Sequence, residues 1–197
     1  MNIPMKGGRI TAPFNDPRPI DNPGRHIHGA IDVSTSAANG DRMVYAPATG
    51  KLVAYFINRP PRGGWGAPTK QGVQTEKAEI LAIPVRDRWY DVYGGLITIE
   101  EPSGLFHILT HFYAAQLFKR FRFCFTPPQM SFMEAQAKSR WPAFLFRSDE
   151  SKVSFGEALL PIGDAGYSFG AHLHWEVHHS PSLDYYDKRI DPTTLVK

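Results

Sequence analysis

Half of the eight histidines in this 197-residue chain lie within eight positions, His172, His174, His178 and His179, in the stretch GAHLHWEVHH. Imidazole both ligates divalent metals and exchanges protons near neutral pH. Such a density points to a metal site, a purification tag or a wet surface strand. Spacing excludes the tag. His172-Leu173-His174-Trp175-Glu176-Val177 alternates polar and apolar, the period-2 pattern of a half-buried β-strand. On a strand, residues i and i+2 leave the same face, so His172, His174 and Glu176 emerge side by side.

A second cluster, RHIHGAIDV, runs from Arg25 to Val33 and sets His28 four residues before Asp32. Tetrahedral zinc with bonds of about 2.1 Å needs ligand atoms roughly 3.4 Å apart, whereas four residues of flat strand span about 13 Å. The pair can share a metal only across a bend, which Gly29 followed by Ala30 makes cheap. Ile31 and Val33 flank Asp32 as they would on a strand whose other face is buried. Two ligands here and one from the distant His-x-His pair complete the three-protein-ligand count of a catalytic zinc site. The remaining histidine of the pair then lies beside the metal, placed to exchange protons with a reacting water. Spacing leaves open whether His172 or His174 is the ligand. A third segment, GLFHILTHFYA, offers His107 and His111. Alternation puts both on one strand face, and His107 is expected to point to solvent.

The elements that must carry these groups read as short strands bounded by turn residues. RMVYAPATGKLVAYFI, Arg42 to Ile57, reads as strand, turn and strand. Val92 to Glu101 and Leu105 to Phe112 read as a hairpin closed by Pro102-Ser103-Gly104. Gly156 to Ile162 and His172 to His178 supply two more strands. No βαβ repeat is visible, so the sheet should be antiparallel. Two segments break the pattern. Asn58 to Asp91 is Pro-, Gly- and Arg-rich, with one expected strand at Ala78 to Val85. Tyr113 to Phe155 has seven basic and three acidic residues, a net +4, with an expected short helix at Ser131 to Arg140.

The order HGAID, VYAPATGKLV, LTHFY and IGDAGYSFGAHLHWEV resembles the lysostaphin-type zinc endopeptidases, which cut peptide cross-links in bacterial cell walls. The resemblance covers about Gly24 to Ile57 and Leu96 to Val177 without the two insertions. It implies a mainly β fold, an antiparallel sheet forming a groove or sandwich-like body with two large loop or helical insertions as its walls. It also implies one domain over residues 1–197, interrupted at about 58–91 and 113–155. His28, Asp32 and His174 would be the zinc ligands. His172 would handle the proton, and His111 would help hold the water or the transition-state oxyanion. The substrate would be the peptide part of peptidoglycan, and the basic residues Lys119, Arg120 and Arg122 would suit an acidic wall. A relative that binds the wall or activates a partner hydrolase without catalysis is the alternative. The chain departs from the family pattern at Ala30, where Gly is usual, at Ala171, where Pro is usual, and at Leu109, where an aromatic is usual. None of these removes a ligand.

Bulk properties exclude other classes. A net charge of +3 without a basic, aromatic-interleaved helix gives no case for nucleic acid. No apolar run approaches the ~20 residues of a membrane span, and MNIPMKGGRITAPF has no secretory h-region. A soluble protein reaching the wall by lysis, a phage particle or another non-standard route is expected. The sequence sets no oligomeric state. Cys124 is the single cysteine and lies among aromatics in FRFCFTPP, which reads as a buried inert thiol rather than a nucleophile. Neither a His-Glu-x-x-His helix nor a Gly-x-Ser-x-Gly elbow is present. Glu176 is expected to be an ordinary strand-face charge, with orientation of a ligand imidazole as its other reading. His178 and His179 are expected at an exposed strand end, and His26 is not used by the motif.

Overall fold

The computed structural model describes residues 3–16, 28–35, 42–57, 95–121, 145–148, 150–165, 168, 170–179 and 189–196. Their strands are β1 (Arg9–Ala12), β2 (Ile31–Ser34), β3 (Met43–Tyr45), β4 (Gly50–Ile57), β5 (Gly95–Glu100) and β6 (Phe106–Phe112), then β7 (Leu145–Arg147), β8 (Ser151–Val153), β9 (Ala158–Pro161), β10 (Leu173–His178) and β11 (Arg189–Ile190). One short helix, α1 (Ala114–Arg120), follows β6. The fold is mainly β and antiparallel throughout these residues, as the absence of a βαβ pattern requires.

The large sheet runs β1-β2-β10-β6-β5-β4-β7, with β8 also on β4 and β11 also on β10. The β5–β6 hairpin forms where alternation places it, and Gly104 takes the positive φ its turn demands. β3 and β4 flank the expected turn, yet they do not pair with each other. β3 pairs with β9 in a separate two-stranded sheet, and β4 pairs with β5.

One face of the large sheet is apolar. Leu52 and Ala54 of β4, Ile97 and Ile99 of β5, Leu109 of β6, and Trp175 and Val177 of β10 cluster on it. Val44 of β3, Leu160 of β9 and Leu117 of α1 belong to the same cluster. Ile31 and Val33 are fully buried there, as the reading of Asp32's neighbours requires. Burial of this face stabilises the sheet at roughly 25 cal/mol per Å² of apolar surface, and it pins the register, because a one-residue slip would turn every polar partner inward.

The segment read as the second insertion supplies α1, β7 and β8, and the last two pair with β4. Ala, Leu, Gln, Lys and Arg make α1 from good helix formers, and Leu117 anchors it. The expected strand at Ala78–Val85, the expected helix at Ser131–Arg140, His26 and Cys124 lie outside the described residues.

Candidate metal centre

Asp32 and His174 stand directly opposite each other on neighbouring strands β2 and β10, so their side chains leave the same face at cross-strand contact distance. His28 lies three residues before β2. The chain turns at Gly29 and Ala30, as the spacing argument demanded. The three candidate ligand atoms form a small triangle. His28 Nε2 is 3.1 Å from Asp32 Oδ1, His174 Nδ1 is 2.9 Å from the same oxygen, and the two nitrogens are 3.2 Å apart.

These edges fall slightly short of the ~3.4 Å of a tetrahedral zinc shell, so a small expansion admits the ion. The outer nitrogens also fit. His28 Nδ1 faces the Pro13 carbonyl at 3.1 Å, and His174 Nε2 faces Glu176 Oε1 at 2.9 Å. Both partners accept hydrogen bonds, so the N–H of each neutral ring points outward and its lone pair points into the triangle. Two imidazole nitrogens and one carboxylate oxygen form a donor set suited to zinc.

The electrostatics agree. Burial pushes the Asp32 carboxyl up, but hydrogen bonds from His174 and His28 outweigh it and hold the group well below the carboxylate range. Burial pulls His174 down, but the hydrogen bonds to Asp32 and Glu176 raise its pKa to about 9. In the metal-free protein a proton on His174 therefore supplies positive charge where a cation would sit.

His172 and His111 complete the cluster. His172 makes a bridge with Gly163 just before β10, and its Nε2 lies 3.6 Å from Asp32 Oδ1. Its Nδ1 is 2.7 Å from the Gly170 carbonyl. The His111 ring is 4.6 Å from that of His172 and 5.6 Å from that of His174. Its Nδ1 is 2.8 Å from the Ala165 carbonyl. Burial, followed by the neighbouring His172 and His174, holds His111 well below the ordinary histidine range, so the ring is neutral. Each Nδ1–H is committed to a carbonyl, which makes Nε2 the proton-accepting nitrogen of each neutral ring.

How His111 arrives there corrects the sequence reading, which put His107 and His111 on one face. β6 spends three residue steps, Leu109 to Phe112, against two on β5, Ile97 to Gly95. That extra residue is a bulge. His111 sits in it at φ +72°, a left-handed conformation costly for a side chain with a Cβ. Leu109 and Phe112 both remain in the core while His111 joins the histidines on the other face. Gly163 accommodates the bulge, since a Cβ there would run into the His111 carbonyl oxygen.

His107 stays on the core face and is fully buried, not solvent-facing. Its Nδ1 accepts from Trp175 Nε1 at 3.2 Å, and its Nε2 donates to Glu101 at 2.6 Å. Two further expectations are overturned. Glu176 is buried rather than an ordinary surface charge, and it bonds both His174 and His178. Its two oxygens are placed to orient both imidazoles, the other reading of this residue. His178 is fully buried and not an exposed strand end, whereas His179 is exposed as expected. The sequence did not show that Glu176 pairs with Arg189 of β11, a two-residue strand with no periodicity to read.

No protein-family model and no curated protein matches the sequence. Similar solved structures do exist. A chain of the SpoIIIAH–SpoIIQ complex superposes with a TM-score of 0.50 at 12% identity, over 99% of this chain and 96% of that one. A zinc-containing peptidase from Vibrio cholerae gives 0.44 at 18% identity, over 93% of this chain and 35% of that one. The catalytic domain of the prophage-encoded M23 protein EnpA from Enterococcus faecalis gives 0.42 at 12% identity, over 94% and 89%. At such identities the likeness is one of fold. No helix among the described residues is long and apolar enough to cross a membrane.

Proposed function

We propose that the chain is a zinc-dependent endopeptidase of the lysostaphin type, acting on the peptide cross-links of bacterial peptidoglycan from a single domain. The observation that carries this reading is the triangle of His28, Asp32 and His174, with every edge near 3 Å and every outer imidazole nitrogen already bonded. Bound there, zinc would supply Lewis-acid polarisation of a scissile carbonyl and acidify water. His172, the more open of the two flanking histidines, accepts the proton at Nε2 and returns it to the leaving amine. His111 sits deeper, and its unprotonated Nε2 suits it to accept a hydrogen bond from the attacking water. It becomes an oxyanion donor only after taking up a proton. The basic end of α1 presents exposed Lys119 and Arg120, though Arg120 also pairs with Glu157 at 3.1 Å.

A second reading is favoured by the fold comparison. The similar chain with a TM-score of 0.50 is named for an assembly, SpoIIIAH with SpoIIQ, and not for a peptidase. By that reading the chain binds cell wall or a protein partner without catalysis. The comparisons lean to this second reading and the site geometry to the first. A digest of purified sacculi by zinc-loaded protein, beside His174→Ala and a chelated control, separates them. New amino termini that vanish in both controls support the peptidase. One bound zinc per chain, sedimentation with sacculi and no released peptide would establish the binding role instead.

A further inference from the structure

Glu176 is a carboxylate with almost no solvent contact, and its charge must be balanced from inside the protein. The balancing group is Arg189, delivered by β11 and also nearly sealed from solvent, with a guanidinium nitrogen 3.4 Å from Glu176 Oε2. Arginine stays protonated under all relevant conditions. The same carboxylate accepts from His178 at 2.7 Å and, through its other oxygen, from His174 at 2.9 Å.

We propose that Arg189 is a positioning residue for the metal centre: by keeping the Glu176 carboxylate in place, it holds the His174 ring with Nδ1 facing Asp32 and His28. The inference rests on the zinc reading of that site. Its chemistry concerns the tautomer. Glu176 Oε1 accepts from the ring nitrogen facing it, so in the neutral ring the lone pair falls on Nδ1.

Gly29 gives independent support. A Cβ at Gly29 would collide with the Arg189 guanidinium and its Cδ. The residue directly after ligand His28 is thus the one that leaves Arg189 room to reach Glu176. The glycine serves the bend and the arginine together.

Zinc dissociation constants, measured by competition with a chromophoric chelator, test the proposal. Arg189→Met, Gly29→Ala and Glu176→Gln should each bind zinc about 10- to 100-fold more weakly than the parent. The Arg189→Met/Glu176→Gln double variant should bind no more weakly than Glu176→Gln alone, because Arg189 acts through that carboxylate. Thermal unfolding of the zinc-free proteins runs in parallel. A folded Arg189→Met protein with parental zinc affinity, or losses that multiply in the double variant, would overturn the inference. If Arg189→Met does not fold, Gly29→Ala decides by the same criterion, since it displaces the guanidinium without deleting its charge. A parent protein that binds no zinc is a separate result, and it would overturn the underlying reading instead.

Discussion

The strand pair β6–β10 carries on each of its faces a histidine bonded to a glutamate, His107 to Glu101 of the β5–β6 turn and His174 to Glu176, and the two have opposite characters. On the core face, His107 lies 2.6 Å from Glu101, with Trp175 donating to its other nitrogen. Both ring nitrogens are used, and no lone pair remains for a metal. On the other face, His174 lies 2.9 Å from Glu176, and its second nitrogen meets another imidazole and a carboxylate within 3.2 Å. Burial holds His107 below the ordinary histidine range, against the opposing pull of Glu101. Burial acts on His174 too, but two carboxylates outweigh it and raise the group to about 9. What a histidine does here depends on what faces its second nitrogen, and not on its having a carboxylate neighbour.

The largest expected effect separates the two faces by zinc affinity. His174→Ala should weaken zinc binding about 1000-fold, the scale of losing one of three protein ligands. His107→Ala should leave affinity unchanged; a comparable loss at both positions would break the contrast. Stability should show the reverse. His107→Ala opens a cavity and strands the Trp175 N–H, so chemical denaturation of the zinc-free protein should show a loss of about 2–4 kcal/mol.

Between these sits His111, the residue that the bulge moves from one face to the other. His111→Ala should lower kcat on a peptide substrate about 100-fold while zinc affinity changes by less than about threefold. A large loss of zinc affinity would mean that it belongs with the ligands. The smallest effect is one of pH. The folded pKa of His107 lies below its unfolded value of about 6.5, so the unfolded chain takes up the proton first. This contribution is neutral above pH ~6.5 and becomes destabilising as pH falls below it, at no more than about 1.4 kcal/mol per pH unit. The drop in zinc-free Tm between pH 7.5 and 5.5 should therefore be smaller in His107→Gln than in the parent. An equal or larger drop would place the acid sensitivity elsewhere.

Strands and candidate ligands were legible because they follow local rules. Alternation in HLHWEV places His174 and Glu176 on one face, and Gly29-Ala30 signals the bend that joins His28 to Asp32. The group that balances Glu176 was not legible. Nothing near residue 176 in sequence announces Arg189, and the bulge in LTHFY has no residue signature of its own. Alternation therefore placed His111 beside His107.

The sequence by itself determined an antiparallel, strand-rich chain and the residue types able to hold zinc, because side-chain period and donor chemistry are properties of short segments. Only the tertiary structure decided which nitrogen of each histidine is committed outward, which face His111 occupies and which charge balances Glu176. Those outcomes depend on strand register, one extra residue in β6 and the arrival of β11, which brings together groups that are distant along the chain.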